Sequence, residues 1–212
     1  MRNFLSIAIL FVAAIAVADE VKMTISGSAG LTGSATIVNR IQKDGSKYVQ
    51  LSMELRSTSG QIVNVVQESV YDKTGRPIRK IQTTDTKGGD RQEIVVQFEN
   101  GKVRVRATKN GKTTRSTVFV PTGKSINAKS EFWFVRDKVS AGGKTTYMRF
   151  DLMTTEWVEE TAVYRGTREI RVGGKKVKAH LIEMGDVKAY VDDRGDPWRV
   201  VMEGILMERV TK

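Results

Sequence analysis

The chain has 212 residues, 40% of them hydrophobic and 28% charged, with a formal net charge of +11 and no cysteine. That composition excludes a disulfide scaffold, a cysteine nucleophile and a lipid-modified cysteine, and it suits a folded domain better than a disordered one. A field of that sign favours anionic surfaces as partners, although solubility alone also accounts for a charged exterior.

Residues 1–18 read as a secretory signal peptide. Arg2 supplies the positive start, Phe4 to Val17 form an apolar run broken only by Ser6, and Ala16-Val17-Ala18 gives a small-x-small cleavage site before Asp19-Glu20. The apolar run is too short to cross a hydrocarbon core of about 30 Å as a helix, which takes about 20 residues. Residues 19–212 are therefore expected to be one exported domain, periplasmic or secreted, with no transmembrane segment after cleavage and no nucleic acid among its partners.

From there the pattern has a period of two. Val49, Leu51, Met53 and Leu55 alternate with Gln50, Ser52, Glu54 and Arg56; Ile94, Val96 and Phe98 repeat the rhythm, as do Val103, Val105 and Ala107 against Lys102, Arg104 and Arg106. Val177, Ala179 and Leu181, then Val187, Ala189 and Val191, continue it. One dry and one wet face per strand is the mark of an antiparallel sheet. Turn signals divide the runs: Lys43-Asp44-Gly45, Lys87-Gly88-Gly89-Asp90, Asn100-Gly101, Asn110-Gly111, Ala141-Gly142-Gly143 and Val172-Gly173-Gly174. The expected fold is all-β: a strongly curved antiparallel meander of roughly ten to twelve strands, half-open or closed as a barrel. At most one or two short helices are expected, the one candidate lying near Ser125 to Asp137.

An internal echo stands out. Asp72, Gly75, Pro77 and Arg79 return as Asp192, Gly195, Pro197 and Arg199. An Asp that bonds the backbone two residues on, a Gly for the left-handed position and a Pro opening the next strand describe one hairpin built twice, not a catalytic motif.

The stretch from Tyr164-Arg165-Gly166-Thr167 through Val172-Gly173-Gly174-Lys175 to Val191-Asp192-Asp193-Arg194-Gly195-Asp196-Pro197-Trp198-Arg199 resembles bacterial envelope β-domains of unknown function. These occur alone as exported proteins or ahead of transglutaminase-like domains. The resemblance implies a lipoprotein-carrier-like half-barrel whose concave face shelters acyl chains. The chain stops at Lys212, so no protease domain is expected to follow.

Tests for chemistry are negative. One histidine, His180, and no G-x-S-x-G elbow leave no serine triad. Zinc or copper would lack ligands, and Asp192, Asp193 and Asp196 miss the calcium-loop spacing. Glu159-Glu160 and Asp192-Asp193 are adjacent, and adjacent strand residues point to opposite faces, so neither pair flanks one bond. Gly111-Lys112-Thr113, Gly123-Lys124-Ser125 and Gly143-Lys144-Thr145 imitate the end of a phosphate loop, but Arg106, Val118 and Lys138 stand where its first glycine belongs. No enzyme activity, metal or cofactor is expected. Two features remain. A basic stripe through Lys102, Arg104, Arg106, Lys109, Lys112 and Arg115 offers contact to an anionic surface. Trp133, Phe134, Met148 and Trp157 supply soft apolar lining for a pocket. The expected function is a non-catalytic envelope protein binding an apolar or amphipathic, lipid-like ligand; the alternative is an envelope interaction or scaffold module acting on a protein partner through the basic surface or a sheet edge.

Overall fold

The computed structural model describes residues 19–124, 126 and 138–211. They form fourteen strands: β1 (Asp19–Gly27), β2 (Thr32–Ile41), β3 (Lys47–Arg56), β4 (Ile62–Tyr71), β5 (Pro77–Thr86), β6 (Arg91–Glu99), β7 (Lys102–Lys109), β8 (Lys112–Phe119), β9 (Lys144–Asp151), β10 (Glu156–Val172), β11 (Lys175–Met184), β12 (Val187–Val191), β13 (Pro197–Met202) and β14 (Ile205–Arg209). Fourteen exceeds the expected ten to twelve because short strands such as β13 and β14 leave little periodic signal. Among the described residues the only helical element is the 3-10 turn Ser28–Gly30, and none is long and apolar enough to cross a membrane. The helix candidate near Ser125 to Asp137 falls almost wholly outside the described residues.

All strands join one antiparallel sheet in the order β8-β7-β6-β5-β4-β3-β2-β1-β14-β13-β12-β11-β10-β9. The sheet is all-β and barrel-like but not closed by a ladder between β8 and β9; among the described residues one isolated parallel bridge links Ile126 to Met148 of β9.

Turn chemistry sets the register. Gln42–Ser46, Ser57–Gln61, Asp72–Arg76 and Asp192–Asp196 share one five-residue turn, its first N–H bonding the last carbonyl at 2.8–3.0 Å. Each holds its glycine at positive φ, 80° at Gly45 and 88° at Gly75, where side chains are strained. The two echo hairpins match in detail. Asp72 Oδ1 accepts the N–H of Thr74 and of Arg76; Asp192 Oδ1 accepts those of Arg194 and Asp196. Both strand pairs shift register directly after the proline, at Ile78 and at Trp198.

The buried face can be followed strand by strand. Ile37, Leu51, Gln67, Gln82, Ile94 and Ala107 stand directly opposite one another across β2 to β7. In the other direction Ile25, Met207, Val200, Ala189, Ile182 and Tyr164 continue the same face from β1 to β10. Its apolar members form a main core of β1–β4 and β12–β14 around Met23, Leu51 and Met207, and a second one of β10–β12 around Ile182 and Ala189.

The third cluster breaks this one-face rule. Ile94, Val96, Val103 and Val105 of β6 and β7 use the inner face, yet they pack against Phe150, Leu152 and Trp157. Phe150 lies opposite Trp157, whereas Tyr147 and Arg149 lie opposite Glu160 and Val158, on the face that continues into Ala162 and Tyr164. Phe150 and Trp157 therefore belong to the outer face of β9–β10. The sheet is a roll whose β9–β10 end slides beneath β6 and β7, so that the outside of one layer is covered by the inside of the other.

Candidate functional site

The β9–β10 hairpin presents different chemistry on its two faces because its sequence alternates two kinds of residue. Outward, Phe150 and Trp157 meet edge to face at 5.3 Å and 78°, and Phe98 of β6 approaches each of them at 6.2 Å. Such geometry is favoured by the ring quadrupoles. Met148, two residues before Phe150 and 6% exposed, shares that face. The two pocket candidates within the described residues, Met148 and Trp157, thus sit where layers meet, in packed aromatic material. Trp133 and Phe134 lie outside the described residues.

Inward, the same hairpin carries Tyr147, Arg149, Val158 and Glu160. Arg149 donates to Glu160 and to Asp151, each at 3.0 Å, and Tyr147 donates to Glu160 at 3.2 Å. Arg149 keeps 27% of its side chain exposed and Val158 keeps 38%, so solvent reaches this wall. Asp151 also tightens the β9–β10 turn by accepting the N–H groups of Met153 and Thr154 at 2.8 and 3.0 Å. Burial pushes its carboxyl up, but these two amides and the Arg149 guanidinium outweigh burial and hold it below the usual carboxylate range. Glu159 points the other way and pairs with Lys124, so the neighbouring glutamates do separate onto opposite faces.

The inner wall of β4 and β5 is polar as well. Gln67, Ser69, Gln82 and Thr84 are all buried, and Gln82 donates to the Met153 sulfur in the β9–β10 turn. Ser69 Oγ and Asn39 Oδ1 are buried without a hydrogen-bond partner among the described residues, as is Trp157 Nε1. The concave face is therefore amphipathic: apolar over β1–β3 and β10–β14, polar over β4–β5 and ionic on β9–β10.

His180 lies on β11, partly buried. Its Nδ1 is 3.0 Å from the Tyr164 hydroxyl and its Nε2 is 2.8 Å from Asp193, with 17% of the ring exposed. This carboxylate–imidazole–phenol chain spans a bulge between Tyr164 and Thr167. Sequence spacing alone gave no sign of it, since the three residues come from two strands and a turn. Among the described residues no group of three or more His, Asp or Glu side chains is arranged to hold a metal ion.

The basic stripe is largely neutralised from within. Lys102 and Arg104 both pair with Glu99, at 3.5 and 2.7 Å; Arg106 pairs with Glu93 at 3.1 Å and Lys109 with Asp90 at 2.7 Å. Lys112 and Arg115, on β8, have no such acid among the described residues. At the rim, Asp72, Arg76, Ile78, Phe98, Glu99 and Ile126 line a cavity of about 180 Å³. That is below the several hundred Å³ of ordinary ligand pockets, so by itself it takes only a small group.

This architecture defines the chain as an all-β, barrel-like rolled meander. It is similar to the crystal structure of a β-barrel-like protein of a domain of unknown function, DUF1849, from Brucella abortus, with a TM-score of 0.68 and 12% identity over 94% of this chain and 98% of that one. At that identity the likeness is one of fold. A porin-like protein from Bacteroides uniformis aligns at a TM-score of 0.21 and 10% identity over 92% and 96% of the two chains, too low to bear on the fold. No protein-family model and no curated protein matches the chain.

Proposed function

We propose that this is an exported, non-catalytic protein of a bacterial envelope, periplasmic or secreted, that shelters an apolar or amphipathic, lipid-like ligand against the concave face of its roll. The supporting observation is the inward side of β9–β10, where Val158 stays 38% exposed beside the half-buried Arg149–Glu160 pair. An acyl chain laid along that wall would gain about 25 cal/mol for each Å² removed from water, and a polar head would find Gln, Tyr and ionic groups next to it.

Organic extraction and native mass spectrometry of the purified protein test the reading. A co-purifying amphipath, depleted in Val158→Asp and retained in a surface control such as Lys87→Asp, is the expected result. A ligand-free protein, or one whose ligand content ignores Val158→Asp, overturns it.

A further inference from the structure

The two edges of the roll are unlike. At β9 the edge is engaged, Met148 bridging Ile126. β8 pairs with β7 along its whole length, from Lys102↔Phe119 to Lys109↔Lys112, with no shift of register. Among the described residues nothing pairs with its other side. Of β8 only Val118 packs against the cluster that β6, β7 and the β9–β10 layer share, so Lys112 through Thr117 are exposed on both faces and Phe119 is 72% exposed.

An edge of this kind is a template for another strand unless a bulge, a proline, a cover or charge blocks it. β8 carries only charge, and that charge is one-sided. Arg115 stands directly opposite Arg106 and Lys112 opposite Lys109, and like charges so placed repel. Glu93 and Asp90 compensate Arg106 and Lys109; nothing described compensates Arg115 or Lys112. Two free cations therefore flank an open ladder. Because strand side chains alternate, Arg115 shares its face with Phe119.

We infer that β8 is a docking edge for an extended, acidic segment of another protein. The segment adds as a strand along Lys112–Phe119, with a carboxylate beside Arg115 and an apolar side chain beside Phe119. Main-chain hydrogen bonds supply affinity and the alternating side chains supply selection. The period-two geometry places the acidic and apolar residues four positions apart in the partner. A second copy of this chain is a poor occupant, since two β8 strands would set Lys112 and Arg115 against their own kind on a protein already at +11.

The test titrates the full chain with a fluorescein-labelled peptide of alternating threonine and valine that carries one glutamate and, four positions away, one phenylalanine. The expected result is saturable binding with hydrogen-exchange protection confined to residues 112–119. Binding should weaken about tenfold in Arg115→Glu, recover when that variant meets a peptide with lysine in place of glutamate, and vanish when alternate peptide amides are N-methylated. Unchanged thermal unfolding of Arg115→Glu keeps the comparison clean, as the side chain is fully at the surface. The inference is overturned if Arg115→Glu binds as the native chain does, if protection appears elsewhere, if N-methylation is without effect, if the chain instead dimerises through β8, or if Arg115 is needed for phosphatidylglycerol vesicles and not for the peptide.

Discussion

Asn39 of β2 donates to Asp196 of the β12–β13 turn at 3.2 Å, 157 residues away in the chain, with 2% and 1% of the two residues exposed. This contact pins the second echo hairpin into the end of the roll, where Arg209 also holds Asp192 at 3.1 Å and stacks on Trp198 at 3.9 Å. Asn39→Ala takes a donor away from a buried carboxylate, and such losses cost about 1–3 kcal/mol. Chemical denaturation should show that loss with an unchanged denaturant slope. The equivalent site in the first hairpin is Arg76, which is exposed, and Arg76→Ala should change stability by less than about 0.5 kcal/mol.

The overlap of layers predicts coupling between strands far apart in the sheet. Phe150→Ala empties a site 3% exposed and should cost about 3–5 kcal/mol. A double-mutant cycle of Phe98→Ala with Phe150→Ala should return an interaction of about 0.5–1.5 kcal/mol, the range for an edge-to-face pair. Strict additivity would mean that β9–β10 does not lie under β6–β7.

Asp151 and Asp72 set an acid limb. Burial raises both carboxyls, but hydrogen bonds from the turn outweigh it at each: the Thr154 and Met153 amides at Asp151, and the Thr74 hydroxyl with the Arg76 and Thr74 amides at Asp72. A carboxyl held low in the folded state stabilises above its unfolded value near 3.9, and that stability is lost as pH falls through the folded value. Melting temperature should therefore drop steeply below about pH 4. Asp151→Asn should flatten part of that drop and lower stability at pH 7 by about 1 kcal/mol.

Gly33 in β2 packs where no side chain fits, a Cβ there meeting the Glu54 carbonyl oxygen at 2.1 Å. The neighbour is backbone and cannot swing aside. Gly33→Ala should destabilise by about 2 kcal/mol or more, read as a lower melting temperature.

Export is checked by mass. The protein recovered from the periplasm or medium should begin at Asp19, and Ala18→Arg should leave the leader attached. An intact leader on otherwise soluble cytosolic protein would contradict the signal-peptide reading.

Much of the fold was legible because alternation and turns are local. Val49 to Leu55 declare one dry face, and the echo at Asp72 and Asp192 declares the same hairpin twice; both appear in the structure as read. The site was less legible, for a physical reason. On β9 and β10 both faces are used, Phe150 and Trp157 against a covering layer and Tyr147, Arg149 and Glu160 against the interior, and a strand with two occupied faces does not say which one looks into the roll. Pairing across the fold was hidden too: nothing in Lys102 or Arg104 foretells that both reach Glu99, and nothing near His180 points to Tyr164 and Asp193. Trp133 and Phe134 stay outside the described residues.

Because one end of the sheet passes under the other, no backbone ladder among the described residues fixes the circumference. Widening or tightening such a coil trades side-chain contacts among Phe98, Phe150 and Trp157 and leaves the thirteen antiparallel pairings whole. A closed barrel has to break hydrogen bonds to change girth; a scroll only has to slip.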